Sequence, residues 1–319
     1  MVEARSNISF IRLIRTYGTV LAGVLIILAF SILSPDSFAT IDNAINISRQ
    51  ISFLVIIALG ATLVMAVGEF DLSVGALASL GGVFAAKLAV AGFPIALAIL
   101  LPLLTALVIG YVNGWIVTKF RVLSFITTLA MGTIIGGINF KLTGGATVFE
   151  NIPESFLYLG QTEWGEIPLL SFIMLLMTIL FWFIMSHTAF GRKLYAIGGN
   201  ESASRVAGVR VAMNKNAAFA LCAMLATLTG ILMASRLGSA HPNGGDGLFL
   251  SAYAAAFLGM TSFKEGVPNV WGTFVGAAII GILANGMTIL QVPTFMQDVI
   301  TGCIVIAAVL MQKLGRDRA

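Results

Sequence analysis

Two carboxylates, Glu69 and Asp71, stand two residues apart in the stretch GEFDLSVG, between long apolar runs. Ionisable groups within bilayer-length apolar sequence are usually functional. Carboxylates also accept well from hydroxyl donors. One reading therefore makes GEFD a broken helix whose acids line a solute pathway. The structural reading is a tight solvated turn in which Asp71 caps the run that begins LSVG. Asn139 and Asn285 lie within or near other apolar runs. An unpaired amide in lipid is costly, so each must face protein or water. Helix–helix hydrogen bonding and solute contact are the two roles open to them. Asp71, Asn139 and Asn285 are thus the candidate pathway residues.

Other reactive side chains carry less. His187 and His241 fall at predicted span ends, and the chain has neither H-E-x-x-H nor clustered Cys and His spacing, so no metal site is expected. Cys222 and Cys303 lie in apolar runs and read as small buried hydrophobes rather than a disulfide. No nucleophile–base pair stands out, so no catalytic residue is assigned and an intramembrane enzyme finds no support.

The elements that position these residues follow from composition. Only 10% of the 319 residues are charged and 58% are hydrophobic; the mean hydropathy is +0.99. A soluble domain carries roughly 25% charged residues, and no soluble core could absorb this much apolar surface. Apolar runs of bilayer length recur, each able to cross about 30 Å of hydrocarbon as a helix. The chain reads as an all-α, polytopic transmembrane bundle, one transmembrane domain over 1–319. Ten spans are predicted, near 18–33, 51–67, 72–90, 95–112, 124–140, 169–186, 216–235, 248–262, 269–289 and 297–312. The run 248–262 is short, and a re-entrant loop there would place the tail KLGRDR outside; a short true crossing is the reading adopted. Glycine-rich segments such as GTIIG (132–136) and GTFVG (272–276) suit close helix packing in lipid. The start MVEARSNISFIRLIRTYG is basic and reads as preceding an uncleaved first span.

Charge sets the orientation. With both termini cytoplasmic, fourteen of the eighteen lysines and arginines lie inside, the exceptions being Arg49, Lys87, Lys141 and Arg236. The positive-inside rule selects that arrangement. It also accounts for the net charge of +4 without nucleic acid.

The largest inside segment, 189–215, opens AFGRKLYAIGGNESASRVAGVR. Its charge is expected of an inside loop, but its pattern says more. Asn200 fits a helix N-cap, Glu201 the first turn and Gly208 the C-terminal stop. About two turns of helix follow, with Ala203, Val206 and Ala207 on one face. Two turns are marginal alone in water, which suggests docking into a partner's groove. The longest outside loop, 141–168, carries Glu150, Glu154, Glu163 and Glu166 against Lys141 alone. It reads either as a surface that receives a soluble partner or as a solvated loop. No G-x-x-x-x-G-K-[ST] loop is present, so the chain has no such loop to cradle ATP phosphates itself.

At this point three motifs in order carry a resemblance. FGRKLYAIGGNESASRVAGV, GEFDLSVG and RLGSAHPNGGDGLFLSAYAAAFLGMTSF resemble the permease subunits of ribose- and galactose-type ATP-binding cassette importers, in the branched-chain amino acid/ribose permease superfamily. The similarity covers about residues 45 to 312. It implies that Asn200, Glu201, Ser202, Ala203, Ser204, Arg205, Val206, Ala207 and Gly208 form a coupling helix against an ATPase. It further implies a pair of permeases (two copies or a paralogue), two cytoplasmic ATPase modules holding the ATP and Mg, an extracytoplasmic sugar-binding protein, and a bacterial inner-membrane location. The permease itself would bind no cofactor and do no chemistry. One departure is Glu69, where ribose permeases commonly read Gly-Ile-Asp. The alternative function is an ion-coupled secondary transporter of a small polar solute, for which Glu69 and Asp71 are the obvious acidic candidates.

Overall fold

A computed structural model describes residues 2–261 and 266–316. Lys264 and Arg318, both counted in the orientation argument, lie outside the described residues, as does Ser262 at the end of the eighth predicted span.

The chain is helical almost throughout. In order come α1 (Val2–Leu33), α2 (Pro35–Phe38), α3 (Ile41–Ala66), α4 (Val74–Val90), α5 (Ile95–Phe120), α6 (Ser124–Thr143), α7 (Glu154–Gln161), strands β1 (Glu163–Trp164) and β2 (Ile167–Pro168), then α8 (Leu169–His187), α9 (Ala189–Gly199), α10 (Glu201–Val206), α11 (Val211–Leu237), α12 (Leu248–Met260), α13 (Val270–Ile289) and α14 (Thr294–Arg316). Each of the ten predicted apolar runs falls on a helix. Six of these helices, α3, α5, α6, α8, α11 and α13, are long and apolar enough to cross a membrane. The apolar parts of α1, α4, α12 and α14 are shorter, 18–33, 74–90, 248–260 and 294–310. The protein is a helical, multi-pass membrane protein.

Its centre is α11. Val211–Leu237 is buried along most of its length and packs against α3, α4 and α5. Missing side chains permit that contact. A Cβ on Gly230 would lie 1.7 Å from the Ala78 carbonyl oxygen of α4, so the two backbones touch. Such close approach by small residues drives association where lipid removes the hydrophobic force between helices. GTFVG behaves in the same way: a Cβ on Gly276 would lie 2.1 Å from the Ala255 carbonyl oxygen of α12. GTIIG does not. Gly136 meets nothing within 4 Å and Gly132 makes only ordinary contacts with Leu72 and Ser73. Glycine spacing alone does not tell which helix face is inside.

Helix α12 spans 13 residues, or about 20 Å. It is buried over 252–256 and packs against α3, α13 and α14. Of the cysteines, Cys222 is buried as expected, whereas Cys303 on α14 is exposed. His187 stacks on Phe183 with ring centroids 5.4 Å apart, and His241 accepts from the Asn243 N–H at 3.1 Å.

Both long connections are more ordered than loops. Within 141–168, α7 buries Phe156 at 2% exposure, a contribution of about 1.5–3 kcal/mol. Ser235 at the end of α11 fixes α7 from both directions, donating to the Phe156 carbonyl at 2.7 Å and accepting from the Gly160 N–H at 2.8 Å. The β1–β2 hairpin follows, and Glu163 pairs with Arg49 of α3. Across 189–215 the expected coupling loop is largely α9 and α10.

Candidate functional site

The chain between α3 and α4, residues 67–73, is irregular and partly buried, with Val67, Asp71 and Ser73 inside and Gly68 and Phe70 exposed. Its backbone amides therefore need partners other than their own helix. Gly68, at φ +79°, turns the chain at the end of α3, and the Glu69 N–H closes back on the Val64 carbonyl at 3.1 Å. The next three amides are taken by side chains from elsewhere. Phe70 N–H donates to Ser124 Oγ at 3.2 Å, Asp71 N–H to the Tyr253 hydroxyl at 2.7 Å, and Leu72 N–H to Thr128 Oγ1 at 2.9 Å. Ser124 and Thr128 are four residues apart, hence on one face of α6. Tyr253 also donates to the Asp71 carbonyl at 3.1 Å. Around it, Phe70 and Phe249 place their rings 5.6 and 5.2 Å away.

Asp71 is fully buried. Its Oδ1 accepts from the Ser73 N–H at 2.8 Å and from the Ser73 hydroxyl. The cap residue of α4 is Ser73, so Asp71 holds the turn two residues ahead of the helix rather than its first free amides. Asn113 of α5 donates to Ser73 Oγ at 3.2 Å. Asn139 donates to the Pro242 and Ala76 carbonyls at 3.2 and 3.4 Å, tying α6 to α4 and to the segment before α12. Asn285 is buried near the end of α13. Among the described residues, Asp71, Asn139 and Asn285 share no hydrogen-bond partner.

They share a different property. Among the described residues, the buried side-chain oxygens without a hydrogen-bond partner are Asp71 Oδ2, Asn139 Oδ1, Asn285 Oδ1, Asn113 Oδ1 and Thr127 Oγ1. All five can accept, which suits a ligand rich in hydroxyl donors. Sequence reasoning missed Asn113 and Thr127, along with Ser124, Thr128 and Tyr253. A hydroxyl pair at i, i+4 within an apolar run is the signal that was available for Ser124 and Thr128.

The second site is α10. Asn200 caps it, accepting from the Ala203 N–H at 2.9 Å. Gly208, at φ +80°, ends it, with the Val209 N–H returning to the Ser204 carbonyl at 3.0 Å. Ser204 faces inward and is buried, whereas Ala203, Val206 and Ala207 are exposed. Val206 is 90% exposed, the highest value for a large hydrophobic side chain among the described residues.

Glu69 links the two sites. Lys215 Nζ of α11 donates to Glu69 Oε1 at 2.6 Å and to Glu201 Oε2 at 2.8 Å, and Arg205 donates to Glu201 Oε1 at 2.8 Å. Hydrogen bonding from Lys215 holds the Glu201 carboxyl below its ordinary value, against a smaller opposing effect of burial.

A multi-pass helical bundle with an irregular connection held by side chains from α6 and α12, and a short, exposed, largely polar helix α10, suits a transport permease. The family of branched-chain amino acid transport system permease components matches residues 43–309, and the chain belongs to it. The ribose import permease protein of Escherichia coli (strain K12) is 37% identical over 296 residues, 92% of either chain. The D-allose transport system permease protein of the same organism is 33% identical, covering 93% of this chain and 91% of its own. Its xylose transport system permease protein is 31% identical, with coverage of 96% and 93%. No solved structure matches the chain.

Proposed function

We propose that this protein is the membrane-spanning subunit of an ATP-driven importer of a sugar or sugar-like solute, in the inner membrane of a bacterium. Permeases for ribose, allose and xylose stand among its relatives. The observation that carries the coupling role is Val206 on α10, an apolar side chain held 90% exposed on a capped, ordered helix. That helix is the surface on which a cytoplasmic ATPase docks, and ATP and Mg belong to that partner. All ten apolar helices cross the membrane, α12 as a short crossing, and both termini are cytoplasmic. A second permease copy or a paralogue completes the pathway. The 141–168 face, built on α7 and the hairpin, receives the extracytoplasmic binding protein.

Solute passes between ordered acceptors. Asp71, Asn139 and Asn285 each present one unpartnered buried oxygen, and a sugar hydroxyl donates to such an atom without removing an existing bond. Nucleotide-driven closure of the ATPases shifts α10 and rocks the helices between two packed arrangements. An ion-coupled carrier is the weaker reading, because one of its two candidate acids, Glu69, is already neutralised by Lys215. Uptake into vesicles containing the purified permease decides between them. Uptake that requires ATP and the added ATPase subunit supports the importer; uptake driven by an ion gradient alone refutes it.

A further inference from the structure

We propose that Lys215 is a positioning residue that transmits movement of α10 to the connection 67–73, with Glu69 as its receiving end. The proposal rests on the importer reading above. Its basis is a geometry in which one cation serves two otherwise separate elements. Lys215 lies on α11, the central helix, with its side chain only 9% exposed. A nearly buried ammonium must be paired, because leaving it unpaired is costly. Its two carboxylates come from different places. Glu201 belongs to the first turn of α10, which the partner ATPase would press upon. Glu69 follows the left-handed Gly68 at the end of α3, two residues before Asp71.

Displacing α10 therefore pulls on a cation whose other bond is to the connection that carries Asp71. A second contact makes the link stiff. A Cβ on Gly198 of α9 would lie 2.1 Å from the Ala66 carbonyl oxygen, so the helix leading into α10 already rides on the backbone end of α3. The loop beyond is held by side-chain bonds from Ser124, Thr128 and Tyr253. Those three belong to α6 and α12. A shift at Glu69 thus reaches two further helices through hydrogen bonds rather than through a sliding apolar contact. Arg205 takes the remaining oxygen of Glu201, so the acid cannot rotate away from Lys215 without losing a second bond.

The test uses the complete complex, with its ATPase and binding protein, reconstituted in vesicles. Uptake is scored per ATP hydrolysed, a ratio that partial misfolding does not alter. Glu69→Gln keeps a hydrogen-bond acceptor and loses only the charge. It is expected to leave ATPase association and hydrolysis near the parent level while uptake per ATP falls about tenfold, the scale of a lost charge-assisted bond. Lys215→Arg, which can still serve both acids, is expected to retain more of the ratio than Lys215→Met. The double variant Glu69→Gln/Lys215→Met is expected to be no worse than Lys215→Met alone, since both act through one link. An unchanged ratio in Glu69→Gln, or strictly additive losses in the double variant, overturns the proposal. Should Lys215→Met fail to accumulate, Glu69→Gln alone decides. Parent complexes without ATP-dependent uptake would instead refute the importer reading, a result separable from either.

Discussion

The hydroxyl of Tyr253 bonds both backbone groups of Asp71, accepting from its N–H at 2.7 Å and donating to its carbonyl at 3.1 Å. One side chain from α12 thus completes the peptide bonding of a residue 182 positions earlier. Tyr253→Phe preserves the ring contacts with Phe70 and Phe249 and removes only these two bonds. A buried amide left unpaired costs about 1–3 kcal/mol. The variant is expected to unfold at a lower temperature in detergent, and an unchanged midpoint would show that the two bonds contribute nothing net.

Asp71 itself separates two roles by conservative replacement. Asparagine retains an oxygen that can accept from Ser73 but puts a donor where the unpartnered Oδ2 stood, so Asp71→Asn is expected to express normally while uptake falls about tenfold or more. Asp71→Ala leaves the Ser73 N–H and hydroxyl without an acceptor and is expected to lose stability by about 0.5–2 kcal/mol. Uptake within a few-fold of the parent in a well-expressed Asp71→Asn protein would remove Asp71 from the pathway and leave it the turn alone.

On α10, Val206→Asp places a charge where the apolar face must desolvate. Because Val206 is 90% exposed, the fold should be untouched, within about 0.5 kcal/mol. Association with the ATPase, followed by co-purification, is expected to fall sharply. Gly208 is a poor site for the same test. Its φ of +80° strains any other residue by about 1–2 kcal/mol, which would mix local unfolding with lost docking.

Acid should loosen α10. The Glu201 carboxyl is depressed in the folded protein, first by hydrogen bonding from Lys215. A depressed carboxyl stabilises fully above its unfolded value and loses that contribution as pH falls through the folded one. Here the contribution is complete at neutral pH and fades below 4.5, the ordinary glutamate value. Hydrogen exchange in α10 of the parent and of Glu201→Gln should differ near neutrality and converge in acid. A difference that persists unchanged in acid would place the effect elsewhere.

Orientation is testable at two described, exposed positions in a background lacking Cys222 and Cys303. Glu150→Cys is expected to react with an impermeant reagent added to intact cells, and Lys193→Cys to react only after lysis. Reaction of Lys193→Cys from outside would invert the topology.

Much of this architecture was legible before the structure, for identifiable reasons. Bilayer-length apolar runs demand helices because lipid offers no partner to a free peptide group. Asn200 and Gly208 marked α10 because caps depend on residues a few positions apart. What sequence did not disclose depends on distant pairs. Ser124, Thr128 and Tyr253 reach loop 67–73 across 54, 56 and 182 residues; the i, i+4 hydroxyl pair hints that one face of α6 is polar, but nothing local to any of the three names the partner. Glu69 and Lys215 are 146 residues apart and looked like unrelated charges. Helix α7 escaped because eight amphipathic residues in a polar stretch resemble a loop until Ser235 is placed beside them.

The backbone contact between Gly230 and Ala78 has a mechanical consequence. Two helices separated by side chains can shear, because rotamers yield and ridges slip. With a carbonyl oxygen where a methyl group would have to be, α4 and α11 have no such cushion, and sliding by one residue would drive a side chain into the neighbouring chain. They are keyed together and translate as one strut. Any switch between outward and inward access must leave that strut whole and hinge at its margins, where bonds to Glu69, Asn113 and Asn139 tie it to its surroundings.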